Sequence, residues 1–209
     1  MLRAFAAVFS LSLAAVAAGG EIAGTVAASG GGSLVVYVEK GPATAEAQPE
    51  RREVAQHDSQ FEPRATWVHA GDSVDFVNRD NIYHNVFSST DGSRFDLGLY
   101  RGGLKKTVQL QTPGEVDVYC NIHPEMRAKV LVLPPGARAV QVGADATFKM
   151  DDLPPGIYTL VAWSAVHEPG RAQVELKAGQ KATANFALKS RASAGQHLNK
   201  NGEQYGRYK

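Results

Sequence analysis

After its first twenty or so residues the chain keeps returning to one polarity pattern. Short runs of apolar, often β-branched side chains, alternating or contiguous, are closed by Gly, Pro, Asn or Asp. The runs are Glu21–Val26, Leu34–Glu39, Ser73–Val77, Thr107–Leu110, Val116–Tyr119, Lys129–Leu133, Ile157–Val161 and Ala172–Leu176. A period of two puts alternate side chains on one face of a strand, and the 3.6-residue spacing of an amphipathic helix is almost absent. Many short strands separated by turn residues predict an all-β protein built of sandwiches or barrels.

The pattern is interrupted twice. Gly41–Gln60 is polar and rich in Ala, Glu and Pro, which reads as a linker or surface excursion with Arg51-Arg52 on a solvated face. Leu133-Pro-Pro-Gly136 marks a second boundary. Between Arg138 and Leu188 there are few strands, close to the smallest set that sustains its own core. Glu21–Val26 and Leu34–Glu39 lack partners on their own side of the linker. Joining the two pieces predicts one discontinuous sandwich from residues 19–40 and 138–189, a linker at 41–59, and an inserted domain at 60–137. The tail, 190–209, is polar and basic, so disorder is expected.

The amino terminus adds a compartment. Arg3 precedes an apolar run from Ala4 to Leu13, followed by the small residues Ala15-Val16-Ala17-Ala18. This is the layout of a cleaved signal peptide over residues 1–18; the run falls short of the ~20 residues a spanning helix needs. A periplasmic or secreted protein without a transmembrane segment is expected. Composition narrows little: 44% hydrophobic, 21% charged, net charge +1. No strong field points to nucleic acid or an anionic membrane, so function has to come from a site.

Export makes the single cysteine, Cys120, conspicuous. In an oxidising compartment an unpaired cysteine is reactive, bridged to another chain, or held by something, and a metal would hold it. Cys120 ends a strand and is followed by Asn121-Ile122-His123-Pro124-Glu125-Met126, a short turn carrying thiolate, imidazole and thioether donors. Asp80-Asn-Ile-Tyr-His84-Asn85 supplies a second imidazole at the start of another strand. Two His and one Cys in a plane with a weak axial Met form an electron-transfer copper geometry. Singly, each residue has a plainer reading: Cys120 and Met126 as core, His84 as a turn histidine. His57, His69, His167 and His197 have no such company and read as surface or structural residues; Trp67 and Trp163 read as core.

Over residues 60–134 the chain resembles the cupredoxins, the type 1 blue copper family. The resemblance is carried by Gly71-Asp-Ser-Val-Asp-Phe-Val-Asn78, His84-Asn85-Val86, Pro113-Gly114 and Tyr119-Cys120-x-x-His123-x-x-Met126. It implies a Greek-key β-sandwich and one copper ion held by His84, Cys120, His123 and Met126. It further implies that Asn85 ties the two ligand loops together and bonds near the thiolate. His123 would present its ring edge through an apolar patch of Ile122 and Pro124, extended by Leu97, Leu99 and Tyr100, with a basic rim of Lys105, Lys106 and Arg127. The outer segments resemble the transthyretin-like or carboxypeptidase-regulatory-like sandwich. Gly24-Thr-Val26, Val35-Val-Tyr-Val38, Phe148–Leu160 and Phe186-Ala-Leu188 carry that likeness, which implies a binding or structural module.

The function these resemblances imply is a non-enzymatic one-electron carrier, exchanging with a dehydrogenase, cytochrome or oxidase. Copper storage or sensing, and a structural binding module, are the alternatives. A saturated four-ligand site argues against delivery. A multicopper enzyme needs further His clusters such as His-x-His pairs, and a dinuclear purple site needs two cysteines; the chain has neither.

Overall fold

The computed structural model describes residues 19–30, 32–43, 51–192 and 195–205, so the expected signal peptide, residues 1–18, lies outside the described residues. Among them every regular element is a strand, and none is a helix long and apolar enough to cross a membrane. The strands are β1 (Gly20–Ala27), β2 (Val35–Lys40), β3 (Arg51–His57), β4 (Gln60–Glu62), β5 (Ala65–His69) and β6 (Ser73–Asn78). They continue as β7 (His84–Ser88), β8 (Phe95–Tyr100), β9 (Lys105–Gln109), β10 (Gly114–Tyr119), β11 (Arg127–Leu133) and β12 (Ala139–Gln141). The last are β13 (Thr147–Leu153), β14 (Gly156–Trp163), β15 (Gly170–Leu176), β16 (Lys181–Thr183) and β17 (Phe186–Ala187). The protein is all-β.

Four sheets form two sandwiches. In one, a sheet ordered β5-β11-β10-β7-β8 faces β4-β3-β6-β9 across a core that includes Val54, Phe61, Val74, Phe76, Val118 and Val130. In the other, β13-β1-β16, with β17 also on β1, faces β12-β2-β14-β15 across Ile22, Val36, Met150, Tyr158 and Leu160. The first and last parts of the chain therefore share a core: β1 pairs with β13, β16 and β17, and β2 pairs with β12 and β14.

The two sandwiches bury a third cluster between them, Val35, Tyr37, Leu131, Leu133, Val161 and Trp163. Period two explains why the contiguous apolar runs are contiguous. Along β2, Val36 and Val38 enter their own core while Val35 and Tyr37 face the neighbouring sandwich; β11 and β14 divide their side chains in the same way. Strands buried on both faces lose the polar half of the alternation. Burying an apolar side chain of this size contributes about 1.5–3 kcal/mol, so this seam is a substantial part of the fold. Glu115 lies at its edge, accepting from Trp163 Nε1 at 2.9 Å and from Arg191, with Lys129 at 3.2 Å.

Two expectations are corrected. The segment read as a linker, 41–59, contains β3, which runs parallel to β6 with Val54 opposite Phe76 and turns through Asp58–Ser59 into β4. Its inward face carries only Val54 as a large apolar side chain, so the pattern was too weak to read; parallel backbone bonding to β6 holds it in place. The tail read as disordered is docked over residues 195–205: Tyr205 Oη donates to the Cys120 carbonyl at 2.9 Å, and His197 stacks on Tyr119 at 4.2 Å. Two aromatic rings are what this otherwise polar stretch has to bury.

Candidate metal centre

The candidate site sits where β7 begins and β10 ends, at one end of the first sandwich. His84 is the first residue of β7, and the Asn78 amide braces the loop before it by donating to the carbonyls of Ile82 (2.9 Å) and Tyr100 (3.1 Å). Cys120 follows β10. The loop from Cys120 to β11 is closed by Met126 N–H to the His123 carbonyl at 3.0 Å and Cys120 N–H to the Met126 carbonyl at 3.2 Å. Both anchor strands pair in the same sheet, with Tyr119 opposite Phe87, so the two loops emerge side by side.

Three donor atoms converge there. His84 Nδ1 and His123 Nδ1 are 3.0 Å apart, and Cys120 Sγ lies 3.9 Å from the first and 3.7 Å from the second. Donors around one ion, each about 2.0–2.3 Å from it, span distances of this size, so the residues fit a single metal. Cys120, His84 and Met126 are fully buried and His123 is half-buried. Thiolate and thioether suit Cu(I), while imidazole serves both copper oxidation states.

The electrostatics favour a metal-ready thiol. Burial opposes ionisation of Cys120, yet hydrogen bonding to His84 and to the N–H groups of Asn85, Ile122 and His123 outweighs it and holds the thiol below its ordinary range. His84 is pulled down by burial but raised further by Cys120 and Asp80, so it ends above the usual histidine value. His123 is held below it, by burial first and then by His84.

Asn85 differs in detail from the expected loop tie. Its side-chain amide donates to Asp96 Oδ1 at 2.6 Å, while its buried Oδ1 has no protein partner among the described residues. Its main-chain N–H bonds the Cys120 sulfur directly, and a second link to the cysteine loop runs through the tail: Lys200 Nζ bonds Asp96 Oδ2 at 2.6 Å and Lys200 N–H donates to Asn121 Oδ1 at 2.8 Å.

The residues expected to form the docking patch divide. Leu99 is exposed, but Leu97 and Ile122 are half-buried against the core and Pro124 is half-buried. Tyr100 is buried, its hydroxyl donating to the Phe76 carbonyl, and so leaves the patch. Ile82, Tyr83 and Leu104 are exposed apolar side chains from loops beside the site that the sequence did not single out. The basic rim is partly committed: Lys105 pairs with Asp75 at 2.8 Å, Lys106 donates to the Leu97 carbonyl, and Arg127 donates to the Gly195 carbonyl.

Residues 50–133 match the family model described as copper binding proteins, plastocyanin/azurin family. With the fold and the donor geometry above, this part of the chain is a cupredoxin domain, and the cofactor it takes is one copper ion. Among curated relatives, the methylamine utilization protein MauL of Methylophilus methylotrophus is 35% identical over 80 residues, 36% of this chain and 45% of that protein. Amicyanin-alpha of Methylorubrum extorquens is 32% identical over 75 residues, 34% of this chain and 63% of that protein. The chain thus spans about half to three fifths of the curated relatives it matches. Amicyanin from Paracoccus versutus matches at 24% identity and TM-score 0.36, covering 46% of this chain and 96% of that one. A copper-containing nitrite reductase from Thermus scotoductus matches at 24% identity and TM-score 0.39, over 43% of this chain and 24% of that one.

Proposed function

We propose that the protein is an exported electron carrier whose single copper is held by His84, Cys120, His123 and Met126, and that it is not itself an enzyme. The observation that carries this reading is the convergence of Cys120 Sγ with two imidazole Nδ1 atoms, all within 4.8 Å of one another, at the end of a rigid sandwich. When bound, copper supplies one-electron Cu(I)/Cu(II) chemistry. The chain's own residues hold the donors in a frame braced by Asn78, by the turn bond of Met126, and by burial of all but His123, so little rearranges between oxidation states.

Electrons leave by the half-buried His123. The exposed apolar side chains Ile82, Tyr83, Leu99 and Leu104 near this end suit a brief contact, in which close approach costs little desolvation and release is fast. The name of one relative points to methylamine utilization, so an amine dehydrogenase is the first partner to test, before a cytochrome or an oxidase. The experiment is to load the full chain with Cu(II), record the visible spectrum, and reduce and reoxidise it. An intense, reversible thiolate-to-copper absorption is expected; a weak, hard-ligand copper spectrum would sink the reading.

A further inference from the structure

The β3–β4 hairpin ends against the metal centre. Its turn residues Asp58 and Ser59 have φ of 49° and 55°, and their consecutive N–H groups are both aimed at one carboxylate. Asp58 N–H donates to Asp80 Oδ1 at 2.8 Å and Ser59 N–H donates to Asp80 Oδ2 at 3.0 Å. That same Oδ2 accepts from His84 Nε2 at 2.7 Å. Asp80 N–H is itself tied to Asn78 Oδ1 at 3.0 Å, so the residue is held at both its main chain and its side chain. The Asp80 side chain is 12% exposed and that of His84 is fully buried. A carboxylate clamped by backbone therefore stands behind the imidazole, on the side opposite Cys120 and His123.

We propose that Asp80 is a positioning residue of the copper site. By accepting the His84 Nε2 hydrogen it fixes that tautomer, turns the Nδ1 lone pair toward Cys120 and His123, and with its negative charge favours Cu(II), lowering the reduction potential. The proposal rests on His84 being a ligand. An imidazole that donates its other N–H to a carboxylate is held in orientation and is a more basic donor. A charge this close and this little exposed is weakly screened by salt. The backbone clamp matters because it pins the carboxylate through uncharged donors: the two N–H groups take up lone pairs and leave the charge in place, while His57 Nδ1 stands farther off, 4.0 Å from Oδ1.

Replacing Asp80 by Asn keeps one acceptor oxygen for His84 Nε2 and Ser59 N–H and removes the charge, giving up the Asp58 N–H bond on the other oxygen, so orientation at His84 is kept while the electrostatics change. In the copper-loaded full chain, Asp80→Asn is expected to retain the thiolate-to-copper absorption with a more positive reduction potential. Asp80→Glu, which keeps the charge, is expected to return most of the shift. Asp91→Asn, at a side chain 93% exposed, removes the same formal charge and is expected to leave the potential where it is. A potential unchanged in Asp80→Asn, or an Asp80→Glu shift as large as that of Asn, overturns the proposal. A metal-free measurement guards against variants that fail to fold: nitrogen-15 NMR of the unsubstituted apoprotein is expected to show His84 protonated on Nε2. Protonation on Nδ1 instead sinks the proposal outright. If Nε2 carries the proton but the loaded protein lacks cysteine–copper absorption, it is the copper reading that falls, and the electrochemical part of this proposal with it.

Discussion

At the scale of single residues, the site separates colour from potential. Cys120→Ser replaces a soft thiolate by a hard hydroxyl and is expected to abolish the intense charge-transfer absorption; a variant that stays strongly coloured would remove Cys120 from the ligand set. Met126 is fully buried in the same core cluster as Cys120, so its replacement has to respect volume as well as chemistry. Met126→Leu is a near volume-conserving change and is expected to cost less than about 1.5 kcal/mol in a denaturant melt. It should keep the site coloured while raising the potential, because loss of even weak axial electron donation costs the more electron-poor Cu(II) more than Cu(I). A lowered potential in that variant would contradict an axial role.

At the scale of elements, the most unusual part is the tail segment 195–205. It belongs to neither core, yet it reaches the cysteine loop through Tyr205 to the Cys120 carbonyl and Lys200 to Asn121, and reaches β8 through Lys200 to Asp96. Cutting the chain after residue 194 removes these three hydrogen bonds and that of Arg127 to the Gly195 carbonyl, each worth about 0.5–1.5 kcal/mol, and leaves both cores intact. Copper loss to a competing chelator is expected to quicken roughly tenfold, since ~1.4 kcal/mol of loop restraint is a factor of ten; an unchanged release rate would show the strap to be passive. On the other sandwich, β1 passes so close to the strand entering β17 that a Cβ at Gly24 would lie 1.7 Å from the Ala184 carbonyl oxygen. Gly24→Ala is expected to destabilise that sandwich by about 1–3 kcal/mol, seen as a lower thermal midpoint with the copper spectrum preserved.

At the scale of the whole molecule, the seam between the sandwiches is apolar in the middle and charged at the Glu115 edge. Burial alone would raise the Glu115 carboxyl, but hydrogen bonds from Arg191 and Trp163 and the charge of Lys129 hold it down to about 2, against an ordinary 4.5. A carboxylate whose folded value is depressed stabilises the fold fully above its unfolded value and loses that contribution as pH falls through the folded one. The stabilisation from Glu115 is therefore present above about pH 4.5 and fades between 4.5 and 2. Glu115→Gln is expected to lower stability at neutral pH by about 1–3 kcal/mol, with the gap to the unsubstituted protein closing across that acid window. Calorimetry from pH 7 downward checks it; a gap independent of pH would mean that Glu115 acts by packing alone.

The all-β class, the donor trio Cys120-x-x-His123-x-x-Met126 and the distant His84 were legible in the chain because each is a local signal. Period-two alternation is written within a single strand, and three soft donors within one tight turn have few other uses. That the outer strands need partners from elsewhere in the chain was legible for a similar reason, since β1 and β2 advertise apolar faces with nothing nearby to cover them, and they pair with β13 and β14. What tertiary structure alone decided are the features that rest on backbone groups or on partners far along the chain. β3 is held by parallel bonding to β6 and shows almost no side-chain pattern of its own. The Asp80 carboxylate is fixed by N–H groups of residues 58 and 59, and an N–H carries no residue identity that a sequence can display. The strap over the cysteine loop joins Tyr205 to Cys120, a contact between residues 85 apart. Such pairings are chosen by the free energy of the folded whole, after the entropy of closing long loops has been met, and no local run of residues records them.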